Sequence, residues 1–320
     1  MSNKWDLFVG DGGKHSGNGH EKAWRQIPEL PSWRLREKGA APVFVTTRGL
    51  ADAVNAALHL RRPLLITGEP GSGKSTLVDV IAAELELGTV LRWHISSKST
   101  LNDGLYEYDA LGRLHATQEQ GADNAPESFV TLGPLGTALA ANTIRAVLID
   151  EIDKSDLDLP GDLLNVIENA EFAIPVLARA KSTQPFTVKG TDGSTGEDSE
   201  SYTVDHDGVV RGKKYPVIVF TSNGERAFSA PFLRRCVRFE MPPLNEDDLK
   251  NIISAHLGKK ATEDEKKMIG AFYKKLQGKE KLAVSQILEY VFLVTGESPP
   301  KDDESRKELA RILLKELTGS

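Results

Sequence analysis

Short apolar runs recur through the middle of the chain at 64–67, 90–95, 146–150 and 217–221. Each is rich in Val, Ile and Leu, the pattern of strands buried on both faces of a parallel sheet. Stretches with helical apolar spacing lie between or beside them. Leu50, Val54, Ala57 and Leu58 mark 47–60; Leu77, Val78, Val80, Ile81, Ala82 and Leu85 mark 76–87; Leu163, Leu164, Val166 and Ile167 mark 162–169. Strands and helices alternating in this way predict an α/β fold around a parallel sheet.

Two stretches break the alternation. Residues 182–214 are polar, with Gly190, Gly193, Gly196 and the acidic patch Glu197, Asp198 and Glu200, and read as an inserted loop. Within it, Tyr202-Thr203-Val204 and Val209-Val210, separated by Asp205-His206-Asp207-Gly208, predict a small β-hairpin. Pro242-Pro243 marks the second break, after which 246–257, 262–276, 284–295 and 304–317 all read as helices. Asn245 is the expected N-cap of the first, and Thr262 with Glu265 forms a capping box for the second. At the other end, residues 10–20 are too Gly-rich and polar to pack. Residues 28–42, with Trp33, read as an extended arm. The chain therefore divides into a flexible tail and arm (1–40), an α/β domain (41–242) and a small helical domain (243–320).

Composition narrows the class. A chain of 320 residues with 39% hydrophobic and 27% charged content has the make-up of a soluble globular protein. The net charge of −6 weighs against a broad nucleic-acid footprint and leaves a local basic patch open. Arg34, Arg36 and Lys38 read as solvated charges. The one cysteine, Cys236, allows no intrachain disulfide and suits a reducing compartment. No run approaches the ~20 apolar residues that span a bilayer, and the N-terminus lacks the apolar core of a signal peptide. A cytoplasmic location is the default expectation.

The chemistry begins at Gly68-Glu69-Pro70-Gly71-Ser72-Gly73-Lys74-Ser75-Thr76, which fits G-x-x-x-x-G-K-S/T. A strand candidate leads into it and a helix candidate follows, the context that a phosphate-binding loop requires. Its glycines let backbone N–H groups curl around anionic phosphate, and the helix N-terminus adds partial positive charge. Lys74 is expected on the β- and γ-phosphates of a nucleotide, and the Ser75 hydroxyl on Mg²⁺.

Phosphoryl transfer also needs a carboxylate on the metal side, a group to position water, and positive charge on the γ-phosphate. Ala146-Val147-Leu148-Ile149-Asp150-Glu151 is an apolar strand ending in two carboxylates. Asp150 is expected to bind Mg²⁺, directly or through water, and Glu151 to polarise the attacking water. Val217-Ile218-Val219-Phe220-Thr221-Ser222-Asn223 is a second apolar strand with a polar tip. Asn223 can donate to the γ-phosphate or the water while accepting from a neighbour. Further on, Pro231-Phe232-Leu233-Arg234-Arg235-Cys236 offers guanidinium groups, which suit transition-state charge on phosphoryl oxygens; by composition alone the pair reads as surface charge, and only the order of the motifs raises it.

This order of motifs resembles the AAA+ ATPases, and more narrowly their MoxR-type branch. GEPGSGKST matches Walker A and VLIDEID matches Walker B; VFTSNGERAF is similar to the sensor 1 strand, and APFLRRC to the stretch holding the arginine finger. Leu132-Gly133-Pro134-Leu135-Gly136 sits where MoxR proteins carry a GPL element, and residues 103–109 fall where a helix 2 insert is expected. The resemblance covers roughly residues 40–300. It implies a three-layer α/β P-loop domain with a five-stranded parallel sheet, followed by an all-α lid. It also implies a hexameric ring with ATP between subunits. Lys74, Ser75, Asp150, Glu151 and Asn223 would then act in cis, and Arg235, or Arg234, in trans. One departure stands out: the sensor 2 position reads Ala283-Val284-Ser285-Gln286-Ile287, without an Arg, and Lys281 reads either as a solvated charge or as its substitute.

The resemblance implies an ATP-driven, chaperone-like remodeller working with a partner, such as one bearing a von Willebrand factor A domain. The alternative is a nucleotide-controlled oligomeric switch that recruits or gates an effector with little turnover. A small-molecule P-loop kinase and a DNA-acting ATPase are further readings. No guanine-reading Asn/Thr-Lys-x-Asp element falls in the expected place, so ATP is the expected nucleotide.

Overall fold

The computed structural model describes residues 44–118, 124–191, 201–243, 245–256, 270, 284–295, 299–300 and 302–313. The expected tail and arm, the acidic patch at 197–200, the helix at 262–276 apart from residue 270, and Lys281 lie outside the described residues. Two units emerge: Thr46–Glu69 with Gly73–Pro242 forms one, and the helices after Pro243 belong to the other.

In the first unit, Thr47 opens helix α1 (Arg48–Leu60) by accepting the Leu50 N–H on its hydroxyl. The helix buries Leu50 and Ala57 and stops at Arg61, whose left-handed backbone turns the chain into strand β1 (Leu64–Thr67). Then follow α2 (Lys74–Glu84), β2 (Leu91–His94), α3 (Leu101–Leu105), β3 (Tyr106–Tyr108) and α4 (Ala110–Gln118). Next come β4 (Val130–Leu132), α5 (Pro134–Ala140), β5 (Ala146–Asp150), α6 (Leu159–Asn169), β6 (Glu171–Ala173), α7 (Pro175–Ala180) and β7 (Phe186–Gly190). The unit closes with β8 (Ser201–Val204), β9 (Val209–Arg211), β10 (Val217–Ser222), α8 (Ala230–Leu233) and β11 (Val237–Glu240).

The main sheet has five parallel strands in the order β11-β1-β10-β5-β2. Its continuous apolar runs have a direct physical cause: Ile66, Val147, Ile149, Val219 and Phe220 are fully buried, because both faces of the sheet are covered. The register aligns the strand tips. Thr67 lies opposite Ser222, and His94 opposite Asp150. All C-terminal strand ends thus share one edge, where ligands bind in open α/β sheets.

The inserted region differs from the expected hairpin. Residues 202–204 and 209–210 do not pair with each other. Strand β8 pairs antiparallel with β7 in a second sheet of order β3-β4-β7-β8, and β9 pairs with β6. Alternation explains the choice. Phe186 and Val188 of β7 and Tyr202 and Val204 of β8 are buried on one face, whereas Val210 of β9 lies opposite Phe172 of β6. The turn between β8 and β9 passes so close to α7 that a Cβ on Gly208 would lie 2.2 Å from the Ala178 nitrogen. The expected helix 2 insert becomes the end of α3 and the edge strand β3.

In the second unit, α9 (Glu246–His256), α10 (Val284–Thr295) and α11 (Asp303–Leu313) are described. Asn245 caps α9: its Oδ1 accepts the Asp248 N–H at 2.8 Å, and Asp248 accepts the Asn245 N–H in return at 3.2 Å. Leu249, Ile253, Ile287 and Val291 form the core, with Leu309 and Leu313 against it. Among the described residues no helix is long and apolar enough to cross a membrane.

Candidate nucleotide site

The loop after β1 contains Gly68, Gly71 and Gly73 at φ 152°, 77° and 86°, conformations that L side chains rarely adopt. Gly73 also starts α2 without a side-chain cap, which leaves first-turn N–H groups available to an anion. Lys74 is buried, and its Nζ donates to the carbonyl oxygens of Gly68 and Glu69 at 2.7 and 2.8 Å. Burial lowers its pKa, against the opposing pull of the Asp150, Asp153, Glu151 and Glu69 carboxylates. The ammonium is therefore held over the loop by the loop's own backbone, with carboxylates nearby that favour its charged form.

Asp150, at the tip of β5, joins three chain segments. Its Oδ1 accepts from Ser75 Oγ at 2.8 Å and from Thr221 Oγ1 of β10. Thr221 is fully buried and accepts the Glu151 N–H at 3.0 Å. That bond helps fix an unusual backbone: Glu151 sits at φ 60°, which for a non-glycine residue costs about 1–3 kcal/mol and persists only where its surroundings over-determine it. The Glu151 side chain is equally constrained. Its Oε1 accepts from Asn223 Nδ2 at 3.2 Å; its Oε2 accepts from Lys154 Nζ at 2.7 Å and lies 3.3 Å from His94 Nε2. The hydrogen bond to Glu151 is the main cause that raises the Lys154 pKa.

Asp153 completes the cluster and was not singled out in the sequence. It is buried, and its Oδ2 accepts the backbone N–H groups of Asn223 and Glu225, both at 3.0 Å. Its Oδ1 is buried without a hydrogen-bond partner among the described residues. Arg226, just beyond, donates to the carbonyls of Ser155 and Asp156. The segment after β10 is thus bound to the segment after β5, and Asn223 is aimed by its own main chain.

Lys74, Ser75, Asp150, Glu151 and Asn223 therefore meet at one edge of the sheet, all in the first unit. Arg234 and Arg235 do not join them. Phe232 of α8 packs between Phe220 and Phe228, and the Val237 N–H then donates to Pro63 O. This sets the arginine pair where β1 begins, roughly 13 Å from the loop at ~3.3 Å per strand residue. Arg235 Nε pairs with Glu168 Oε1 of α6 at 2.7 Å, while Arg234 is exposed and accepts from Arg62 Nη1 on its carbonyl. His94, Lys154, Thr221 and Asp153 escaped the sequence reading. The readable signal was the third acid of VLIDEID and the polar residue before Ser222-Asn223; for His94 and Lys154 only the strand register reveals proximity.

The donor set fits a magnesium nucleotide. A hydroxyl and a carboxylate 2.8 Å apart are hard oxygen donors of the kind that hold Mg²⁺ together with phosphate oxygens. A buried ammonium beside positive-φ glycines suits the phosphates themselves.

Fold and site together define a P-loop nucleotide-binding protein of the α/β class. The family model of the AAA domain (dynein-related subfamily) matches residues 63–236, and the chain belongs to that family. It has the AAA+ fold, with a five-stranded parallel sheet and C-terminal helices. A putative adenylate kinase from Sulfurisphaera tokodaii is 34% identical over 91 residues, which are 28% of this chain and 45% of that protein. The chain thus matches less than half the length of that curated relative. Among solved structures, domain III of the Thermotoga maritima replication initiation protein DnaA aligns at a TM-score of 0.43 and 16% identity, over 85% of this chain and 95% of that one. NtrX from Brucella abortus in complex with ADP aligns at 0.41 and 14%, over 82% of this chain and 54% of that one.

Proposed function

We propose that the protein binds and hydrolyses ATP with Mg²⁺ in a ring of identical subunits, and uses the cycle to remodel or assemble a partner protein complex, as a member of the MoxR-type branch. The observation that carries the reading is Asp150 Oδ1, shared by Ser75 and Thr221 and followed directly by a Glu151 that Asn223 holds. Bound Mg²⁺ would draw charge from the phosphate oxygens. Lys74 binds the phosphates, exchanging its bonds to Gly68 and Glu69 carbonyls for phosphate oxygens. Ser75 and Asp150 hold the ion. Glu151 orients the attacking water and accepts its proton, and Asn223 fixes the direction of that carboxylate. Arg235, or Arg234, reaches the site of the next subunit, because its own site lies at the opposite edge of the sheet. The partner is a protein, one with a von Willebrand factor A domain being the type expected for this branch.

A second reading has its own support. Both oxygens of Glu151 are engaged, by Asn223 on one side and by Lys154 and His94 on the other. A base held this firmly favours slow turnover, and hence a nucleotide-controlled switch whose ring form recruits an effector. A small-molecule kinase, the activity in the printed name of the Sulfurisphaera tokodaii relative, is the rival enzyme class; the AAA family match over 63–236 favours the ATPase. Native mass measurement with and without ATP tests the proposal. A ring that forms with ATP supports it, and a strict monomer contradicts it.

A further inference from the structure

The second sheet carries a cleft that the nucleotide site does not use. It has a volume of about 510 Å³ and is lined chiefly by Tyr106 and Tyr108 of β3, Arg113 of α4, and Pro175, Val176 and Arg179 of α7. That size is typical of ligand-binding clefts. Tyr106 and Tyr108 are two apart on one strand, so their rings emerge on the same face. Both are fixed in advance. The Tyr106 ring stacks on Phe172 with centroids 6.4 Å apart and planes 7° from parallel. Arg113 Nη1 donates to the Tyr108 hydroxyl at 3.2 Å, and its Nε to Asn124 Oδ1 at 3.3 Å. The aromatic wall and one guanidinium are thus positioned before anything binds, which removes part of the ordering cost of association.

Charge says what would enter. Among the described residues, no acidic residue lines the cleft. Arg179 is exposed, and among the described residues nothing accepts a hydrogen bond from it or pairs with it. Some arginines elsewhere in the unit have carboxylates: Arg92 has Asp79, Arg211 has Asp205 and Asp207, and Arg235 has Glu168; Arg226 is instead held by the Ser155 and Asp156 carbonyls. In a chain of net charge −6, a pair of arginines facing one cleft without an acid is complementary to an anion from outside. Beside it, α4 buries no residue and exposes Leu111 (71%) and Leu114 (54%), which at this spacing share a helix face. Tyr and Arg around a desolvated centre are the residues that dominate protein–protein hot spots.

We propose that this cleft docks an acidic peptide segment of a partner protein, one that carries an aromatic or large apolar side chain next to its carboxylates. The carboxylates pair with Arg179 and with the free donors of Arg113. The apolar side chain lies against Tyr106, Tyr108 and Val176. The proposal rests on the remodeller reading for its purpose, but the binding itself needs no nucleotide.

The test is a titration of a fluorescein-labelled peptide of alternating glutamate and phenylalanine with the full chain, read by anisotropy without ATP. Saturable binding is expected. Arg179→Glu should weaken it about tenfold or more, the equivalent of about 1.4 kcal/mol, with no change in melting temperature. Arg113→Gln should weaken it as well. The same peptide with lysine for glutamate should not bind, and with glycine for phenylalanine it should bind distinctly more weakly. Absence of saturable binding, equal binding of the lysine peptide, or unchanged binding by both arginine variants would overturn the proposal. So would tighter binding of a single-stranded oligonucleotide, since the anion read would then be phosphate. Failed binding in a protein whose ATP turnover depends on Glu151 sinks the cleft alone; peptide binding in a protein without turnover sinks the ATPase reading alone.

Discussion

Ser75 Oγ donates to Asp150 Oδ1 at 2.8 Å, tying the first turn of α2 to the tip of β5 across the sheet. In the proposed site these two hard oxygens would hold the Mg²⁺ that accompanies the nucleotide. Ser75→Ala should therefore raise the Mg²⁺ concentration needed for half-maximal turnover while leaving metal-free nucleotide binding nearly intact. Lys74→Ala removes the buried charge on the phosphates and should abolish detectable ATP binding by calorimetry. Unchanged affinity in Lys74→Ala would refute the phosphate-loop assignment.

Asp153 holds two backbone N–H groups, those of Asn223 and Glu225. Asp153→Ala leaves both donors without their acceptor; Asn223 is half-buried and Glu225 exposed, so water offsets part of the loss, which stays at or below about 1–3 kcal/mol for a group that remains buried. A lower melting temperature is expected, together with slower turnover from a misplaced Asn223. Asp153→Asn keeps one carbonyl oxygen and should recover most of the stability. If Asp153→Ala melts with the parent protein, the role assigned to these bonds is wrong.

For the arginine pair, Arg235→Ala should leave ATP affinity nearly intact and lower the rate of hydrolysis; arginine fingers contribute ~10³-fold or more to kcat. If Arg234→Ala has that effect and Arg235→Ala does not, the finger is one residue earlier. The ion pair of Arg235 with Glu168 is half-exposed, so its loss alone costs little stability, within about 1 kcal/mol.

The thiol of Cys236 and the phenol of Tyr215 are both pushed up to about 12, chiefly by burial. Each keeps its proton in the folded chain at a pH where the unfolded chain would release it. Stability is therefore complete below the ordinary values of 9.0 and 10.0 and declines as pH rises from there towards about 12. Melting temperatures measured across alkaline pH should fall, and Cys236→Ala should flatten the earlier part of that slope. A pH-independent melting temperature would contradict the burial of these groups. The same burial predicts that Cys236 resists thiol reagents until the chain unfolds.

Much of the fold was legible because the central strands of the main sheet are buried on both faces, which writes them as unbroken runs such as Val147–Ile149 and Val219–Phe220; the edge strand β11 alternates half-buried and exposed residues and gave no such run. The phosphate loop and the acidic strand tip were legible for another reason: their chemistry is local in sequence. The inserted region was not. Strands β8 and β9 are separated by a turn that looks like a hairpin, yet each finds its partner elsewhere, because buried Tyr202 and Val204 complement β7 while Val210 complements β6. Pairing of this kind depends on non-local register, which no short window contains. His94 stayed hidden likewise, since only its register with Asp150 brings it to Glu151.

The central claim, that Glu151 serves hydrolysis at a site built by Lys74, Ser75 and Asp150, is tested most directly by steady-state ATP turnover of Glu151→Gln beside its ATP affinity. The account predicts affinity close to that of the parent protein and turnover reduced by about 10² or more, the usual range for a general base. Full turnover in the Glu151→Gln protein would contradict it.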